Sequence, residues 1–508
     1  MTAPVLMVLG TASSVGKSVI VNALCRIFRQ DGVLVTPFKG QNMSNNADVT
    51  PDGREIGRAQ SEQAAAAGLV PRWEMNPVLL KPQGDRTSQV VLEGRPSGIL
   101  RSADFLTKKR DLWPHVASAL DTLRAEYELV VAEGAGSPAE TNLRAGDITN
   151  MSVARYAEAP VLLVGDIDRG GVFAHLFGTL ALLEPEDRAL VRGFVINRFR
   201  GDPSLLTPAI DDLEARTGVP VLGVIPWIHD LQLAEEDAVA LERPTAAVDS
   251  PADGDVVDIA VIRLPRIANF DDFDPLAAEP GVRLRYVARP EDLGSPQLIV
   301  LPGTKATIAD LEAIRASGLA DALLARRAAG TPVLGICGGY QMLGERLEDP
   351  LGVEAAAGTT VAGLGLLPLV TTFAAEKVTR RVEGSLATAR GPWTGAAEAT
   401  AAGYEIHMGP TAATGAPGAR LDPLLRLDGR DDGAVSADGR VAGCYLHGLF
   451  HNDALRHALL AGLGRGEVAA HRFDREREFD RLAQHVRSHL DMDRVRALLW
   501  PEGVPAHG

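Results

Sequence analysis

Two short stretches of this 508-residue chain carry residue types that do chemistry when a sharp turn presents them. The first is "LGTASSVGKS", residues 9–18. An apolar run enters it and a segment of helical period, "VIVNALCRIF", leaves it, which predicts strand, glycine-bounded loop and helix. In that arrangement backbone N–H groups and a helix N-terminus cradle phosphate. Gly10, Thr11, Val15 and Gly16 would line a nucleotide site. Lys17 would reach the outer phosphates, and Ser18 would place its hydroxyl on Mg²⁺. Five residues separate Gly10 from Gly16, one more than the strict Walker A pattern has. The plain alternative is an ordinary Gly/Ser turn, and a Gly-Lys-Ser at a strand-to-helix junction argues against it.

The second stretch is "PVLGICGGYQMLG", a buried strand followed by Cys337, Gly338-Gly339 and a helix. It reads as a nucleophile elbow. A tight turn exposes the side chain, while the following helix N-terminus lowers the thiol pKa and donates N–H groups to an oxyanion. A free cysteine is by default an inert core residue. The Gly-x-Cys-Gly-Gly setting reverses that for Cys337, whereas Cys25, on an apolar helix face, keeps the default. A cysteine nucleophile needs a base. His447 in "CYLHGLF" follows another apolar strand, and His407 in "GYEIHMG" is its competitor. Gly303 in "LIVLPGTK" and Gly338 are the candidate oxyanion or substrate-loop residues.

Other polar groups fall at strand ends, where open α/β sheets place ligands. Lys39 in "FKGQNMSNN" would balance phosphate charge, and Glu133 in "VVAEGAGS" would hold Mg²⁺ opposite Ser18. Glu55 in "GREIGRAQ" is a second metal-ligand candidate. Asn197 in "VINRFRGD" would read an adenine edge or simply form a turn. Asp166, Asp168 and Arg169 in "GDIDRGGVF" would touch substrate or form an internal ion pair.

The elements that must position these groups alternate short apolar runs with helical patterns, as a parallel sheet flanked by helices requires. Strands are predicted at 33–38, 90–93, 129–133, 161–165, 193–196 and 221–225, with helices at 102–125, 171–183 and 205–217. The stretch 229–255 is acidic, Ala/Pro-rich and without strong period, which suggests a connection. A second alternating region begins at Val257 and ends near 441–450, and the remainder is charged with helical period. The resulting division is 1–230, a linker at 231–255, 256–451, and a helical extension at 452–508. A hydrophobic content of 46% with 23% charged residues is that of a soluble globular protein, and a net charge of −15 argues against nucleic acid or anionic membrane as partner. Three scattered cysteines fit neither a disulfide framework nor a zinc cluster, and the expectation is a cytoplasmic protein without signal peptide or membrane span.

Together these motifs resemble the cobalamin-pathway amidotransferases over nearly the whole chain. Residues 10–18, Lys39 and Glu133 are similar to the P-loop synthetase fold shared with dethiobiotin synthetase. "FKGQNMSNN", "DGREIGRAQ", "NPVLLKPQGD", "NRFRGD" and "RLPRIANFDDFDPL" resemble one branch of the family, and "GICGGYQMLG" and "YLHGLF" resemble triad-type glutamine amidotransferase domains. The resemblance implies an α/β P-loop domain followed by an α/β amidotransferase domain, with Cys337 as nucleophile and His447 as base. It implies ATP, Mg²⁺ and glutamine as ammonia donor, and a corrinoid substrate. The reaction it implies is four amidations, at the b, d, e and g side chains, turning adenosylcobyrinic acid a,c-diamide into adenosylcobyric acid. The sister a,c-diamide synthase, or another glutamine-dependent ligase, is the alternative, and homo-oligomerisation is left open. Triad enzymes usually carry Glu two residues beyond the histidine, where this chain has Leu449. The third member is therefore absent or supplied elsewhere, with Glu405 as a candidate.

Overall fold

A computed structural model describes residues 2–84, 86–101, 104, 109–228, 231, 256–396, 398–415, 421–464 and 474–503. The chain forms two compact units: residues 1–44, 55–236 and 474–508 in one, and 45–54 with 237–473 in the other. The expected linker at 231–255 lies outside the described residues apart from Leu231.

In the first unit an all-parallel sheet runs in the order Val221–Pro226, Val191–Phe199, Val161–Asp166, Val5–Gly10, Leu129–Glu133 and Val35–Phe38. Its central strands are fully buried, because helices cover both faces, and they read as continuous apolar runs. The strand expected at 90–93 is not part of this sheet. It lies in Thr87–Leu92, which pairs antiparallel with Val78–Gly84 and Arg95–Arg101 in a separate sheet whose fourth strand, Gln41–Met43, runs parallel to Val78–Gly84. The cause is a two-residue turn: Glu93 and Gly94 both have positive φ, 50° and 74°, the geometry that folds a strand directly back. In the helix expected at 102–125, residues 109–111 are helical, a turn at Leu112 follows, and the helix Trp113–Glu126 has Pro114 in its first turn; residues 102–103 and 105–108 lie outside the described set.

The C-terminal helices Arg475–Arg487 and Met492–Leu499 belong to this first unit. Each is amphipathic, and Phe479, Leu482, Val486, Met492, Val495 and Leu499 join the core formed by helix Lys17–Gln30 and the sheet. Arg26 of that helix reaches Glu476 at 2.8 Å and Asp480 at 2.6 Å. Asp474 and Asp491 cap the two helices by accepting from Arg477 N and Arg494 N.

The second unit has a sheet ordered Val282–Val287, Val257–Ile262, Leu298–Leu301, Val333–Ile336, Val441–Cys444 and Ala434–Val435. Only its last pair is antiparallel. The long hairpin Lys377–Leu386 with Thr400–Met408 belongs to the same unit and carries Glu405 and His407.

Phe479→Ala should cost about 3–5 kcal/mol in urea unfolding, because its side chain is fully buried. Arg481→Ala, which removes a partly exposed pair with Glu478, should cost no more than about 1 kcal/mol. Equal costs for the two would mean that the helix docks through charge.

Candidate functional site

In the first unit the residues of 10–18 follow the strand Val5–Gly10 into the helix Lys17–Gln30, and Thr11 N donates to Val164 O at 2.9 Å. Gly16 has φ 97°, and a Cβ there would lie 2.1 Å from Asn197 Nδ2, so only glycine fits. Lys17 Nζ donates to Ala12 O at 2.9 Å and Gly136 O at 3.2 Å, folding over the loop between two glycine-rich turns. Glu133, at the tip of its strand, gathers three donors: Ser18 Oγ at 2.8 Å, Lys39 Nζ at 2.9 Å and Gln63 Nε2 at 2.5 Å. Lys39 and Glu133 are both buried, so each charge requires the other.

Two of the expected site residues have protein partners. Asn197 Nδ2 donates to Val15 O at 2.9 Å, so this amide braces the loop backbone. Glu55 accepts from Lys81 Nζ at 3.0 Å, and both side chains are buried. A buried carboxylate needs a counter-charge, and Lys81 supplies one. Asp166 accepts from Arg198 at 2.9 Å and Asp168 pairs with Arg200 at 3.0 Å, the ion-pair alternative for that loop.

In the second unit Cys337 follows the strand Val333–Ile336 at φ 52°, ψ −112°, a strained backbone for a residue with a Cβ. Its N–H donates to Cys444 O at 2.8 Å, and its Sγ lies 3.4 Å from Ile406 O. The helix after it, Gly338–Met342, has five residues, so what it offers an anion is the N–H groups of its first turn. Cys337 and His447 are close enough that each feels the other's charge. Gly303 flanks both: a Cβ there would meet His447 Cε1 at 3.0 Å and Cys337 Cβ at 3.8 Å. His447 Nδ1 lies 2.7 Å from Asp272 Oδ2, and Gly448 N donates to Asp272 Oδ1 at 2.7 Å. Burial pushes the His447 imidazolium down, but Asp272 and Cys337 outweigh it and raise it from 6.5 to about 10. His407 behaves oppositely. Burial holds it down to about 4, its Nδ1 sits 3.2 Å from Gly409 O, and its ring stacks on Tyr445.

Comparison with known proteins separates the chain at the same place. Residues 6–240 match the CobQ/CobB/MinD/ParA nucleotide binding domain, and residues 258–455 match the CobB/CobQ-like glutamine amidotransferase domain. The chain is 55% identical over 507 residues to a cobyric acid synthase of Roseiflexus castenholzii, covering 98% of this chain and 99% of that one. It is 54% identical over 493 residues to a cobyric acid synthase of Chloroflexus aurantiacus, covering 96% and 98%. The chain belongs to the cobyric acid synthase family. It is therefore a glutamine-hydrolysing carbon–nitrogen ligase of cobalamin-pathway amidation, with a P-loop nucleotide-binding domain and an amidotransferase domain. Among the described residues no helix is long and apolar enough to cross a membrane.

Two groups in this family member escape a reading by motif. Gln63 lies on helix Arg58–Ala66, where Arg58, Gln60, Ser61, Glu62 and Gln63 are all buried. A helix so polar and yet buried is the signal of a site, and the alternation of apolar residues gives no hint of it. Asp272 sits inside "RLPRIANFDDFDPL", one of four closely spaced carboxylates or amides, and only the fold tells which one reaches the histidine. Glu405 pairs with Arg380 instead.

The three thiols should respond differently to iodoacetamide. Burial pushes the Cys25 and Cys444 thiols up and both are fully inaccessible, whereas Cys337 is 7% exposed beside an imidazole. Peptide mapping of the native protein should find label on Cys337 alone. Comparable labelling of Cys25 or Cys444 would contradict the packing described.

Proposed function

We propose that this chain opens glutamine at Cys337 and uses the ammonia to amidate carboxylates of a corrinoid that ATP has activated at the 10–18 loop. The observation that carries the reading is that Cys337, at a strained turn, and His447 both flank Gly303. The Cys337 thiolate would attack the side-chain carbonyl carbon of glutamine. Backbone N–H groups of Gly303 and Gly338 would receive the oxyanion. His447 would take the thiol proton and return it to the departing ammonia. Water would then cleave the thioester to glutamate, with His447 as base.

At the other centre the γ-phosphoryl group of ATP would pass to a substrate carboxylate. Ammonia would displace phosphate from the acyl phosphate, leaving an amide. Lys17 and Lys39 would stabilise phosphate charge, and Gly10, Thr11, Val15 and Gly16 would line the phosphates. The donors at the loop suit Mg²⁺: Ser18 Oγ and Glu133 Oε1 are hard oxygens 2.8 Å apart that would hold it. When bound there, Mg²⁺ would neutralise phosphate charge. The family name carried by the relatives, and the motifs that resemble one branch, favour adenosylcobyrinic acid a,c-diamide as substrate, amidated at b, d, e and g to adenosylcobyric acid.

Mass spectrometry of the product formed from adenosylcobyrinic acid a,c-diamide, glutamine and ATP should reveal a species with four further amides. No amidation of that diamide, with cobyrinic acid amidated at a and c in its place, would reassign the substrate to the sister a,c-diamide reaction. Lys17→Ala should abolish amidation at least about 10²-fold while glutamine hydrolysis persists, since the lysine serves phosphoryl transfer alone. Retained amidation in that variant would remove the 10–18 loop from the mechanism.

A further inference from the structure

The histidine of this site lacks a carboxylate at the position two residues on. Leu449 is fully buried there, within the apolar core of the second unit. The vacancy is filled from a distant part of the chain. Asp272 lies 175 residues before His447, is 1% exposed, and puts Oδ2 2.7 Å from Nδ1 while Oδ1 accepts from Gly448 N. We propose that Asp272 is the positioning residue for His447, replacing the glutamate that the usual triad carries beyond its histidine. This rests on the reading of Cys337 and His447 as the glutamine-opening pair.

An ionised carboxylate only accepts, so Nδ1 must carry a proton and donate it, which leaves the Nε2 lone pair free for the Cys337 thiol. The second bond, from Gly448 N, fixes the carboxylate plane. The loop that holds Asp272 is itself tied down. Ala268 N donates to Gly303 O at 2.9 Å, and Lys305 N donates to Arg266 O at 3.1 Å. Asn269, at φ 52°, exchanges bonds with the segment 45–54 of the same unit: its N–H donates to Asn46 Oδ1 at 2.7 Å, and its Oδ1 accepts from Ala47 N at 2.9 Å. The ring of His447 is held from the other side by Tyr404, stacked at 5.3 Å, and by paired backbone bonds between the two residues. The titratable or charged groups facing His447 are thus Asp272, Cys337, Tyr404 and, more remotely, His407.

Asp272→Asn is the decisive substitution, because it keeps shape and the Gly448 bond. The new NH₂ would donate to Nδ1, leave the proton on Nε2 and so close the acceptor that the thiol needs. Glutamine hydrolysis should fall on the order of 10³–10⁴-fold in kcat, the scale of a wrong-tautomer histidine, with KM for glutamine changed by no more than about threefold. Iodoacetamide alkylation of Cys337 at neutral pH should slow, because the nitrogen that takes the thiol proton is closed. Asp272→Glu should recover at least about tenfold over the asparagine variant, and Glu405→Gln should lose far less. Amidation with high ammonia at alkaline pH should persist in all of these variants, which reports that the chain is folded. A kcat within about threefold of wild type, or a loss carried by KM with an unchanged alkylation rate, would overturn the role of Asp272. If Cys337→Ser itself hydrolysed glutamine, the underlying reading would fall instead.

Discussion

A single constraint recurs in both units: a buried parallel strand must hand its chain to a helix through a tight turn. At 10–18 the solution is a loop with Gly16 at φ 97° and Lys17 folded over it. At Cys337 it is a turn at φ 52°, ψ −112° on a residue that resists such a conformation. Strain of about 1–3 kcal/mol persists only where the surroundings overdetermine it. Here the Cys337 N–H is anchored on Cys444 O of the neighbouring strand. The thiol is therefore aimed by the sheet, and every other group of that site is arranged around where it points.

Electrostatics then distinguish the two turns. Around Glu133, a hydroxyl, an ammonium and a carboxamide converge on one buried carboxylate. Removing any one would leave charge that burial penalises, so the cluster is preorganised before a nucleotide arrives. Around His447 the balance is different. Burial disfavours the charged imidazole, but Asp272 and Cys337 outweigh it and hold the ring's pKa well above its usual range. The first centre suits phosphate and a hard cation, and the second suits a thiolate–imidazolium pair.

Much of this was legible as local pattern. The strands 129–133, 161–166 and 221–226 are apolar runs that end where function begins, and the Cys337 turn announces itself through its glycines. What local pattern missed is set by tertiary contact. The strand Thr87–Leu92 has the composition of a buried parallel strand, yet the Glu93–Gly94 turn sends it into an antiparallel sheet. Asn197 braces the loop through the carbonyl of Val15, a contact that residue type alone does not show. Asp272 is one acid among several, and its bond to a histidine 175 positions later follows from sheet order and not from spacing.

The claim that glutamine is opened at Cys337 and consumed at a separate ATP-dependent centre is tested most directly by isotope tracing. The enzyme would be given amide-¹⁵N glutamine, ATP, the corrinoid diamide and excess unlabelled ammonium, with the new amides analysed by mass spectrometry. Wild type should place ¹⁵N in the new amides near neutral pH. Cys337→Ser should form the same amides only when free ammonia is abundant, and with no ¹⁵N. Label in the product of Cys337→Ser would contradict the assignment of the nucleophile, and failure of that variant to use ammonia would contradict the separation of the two centres.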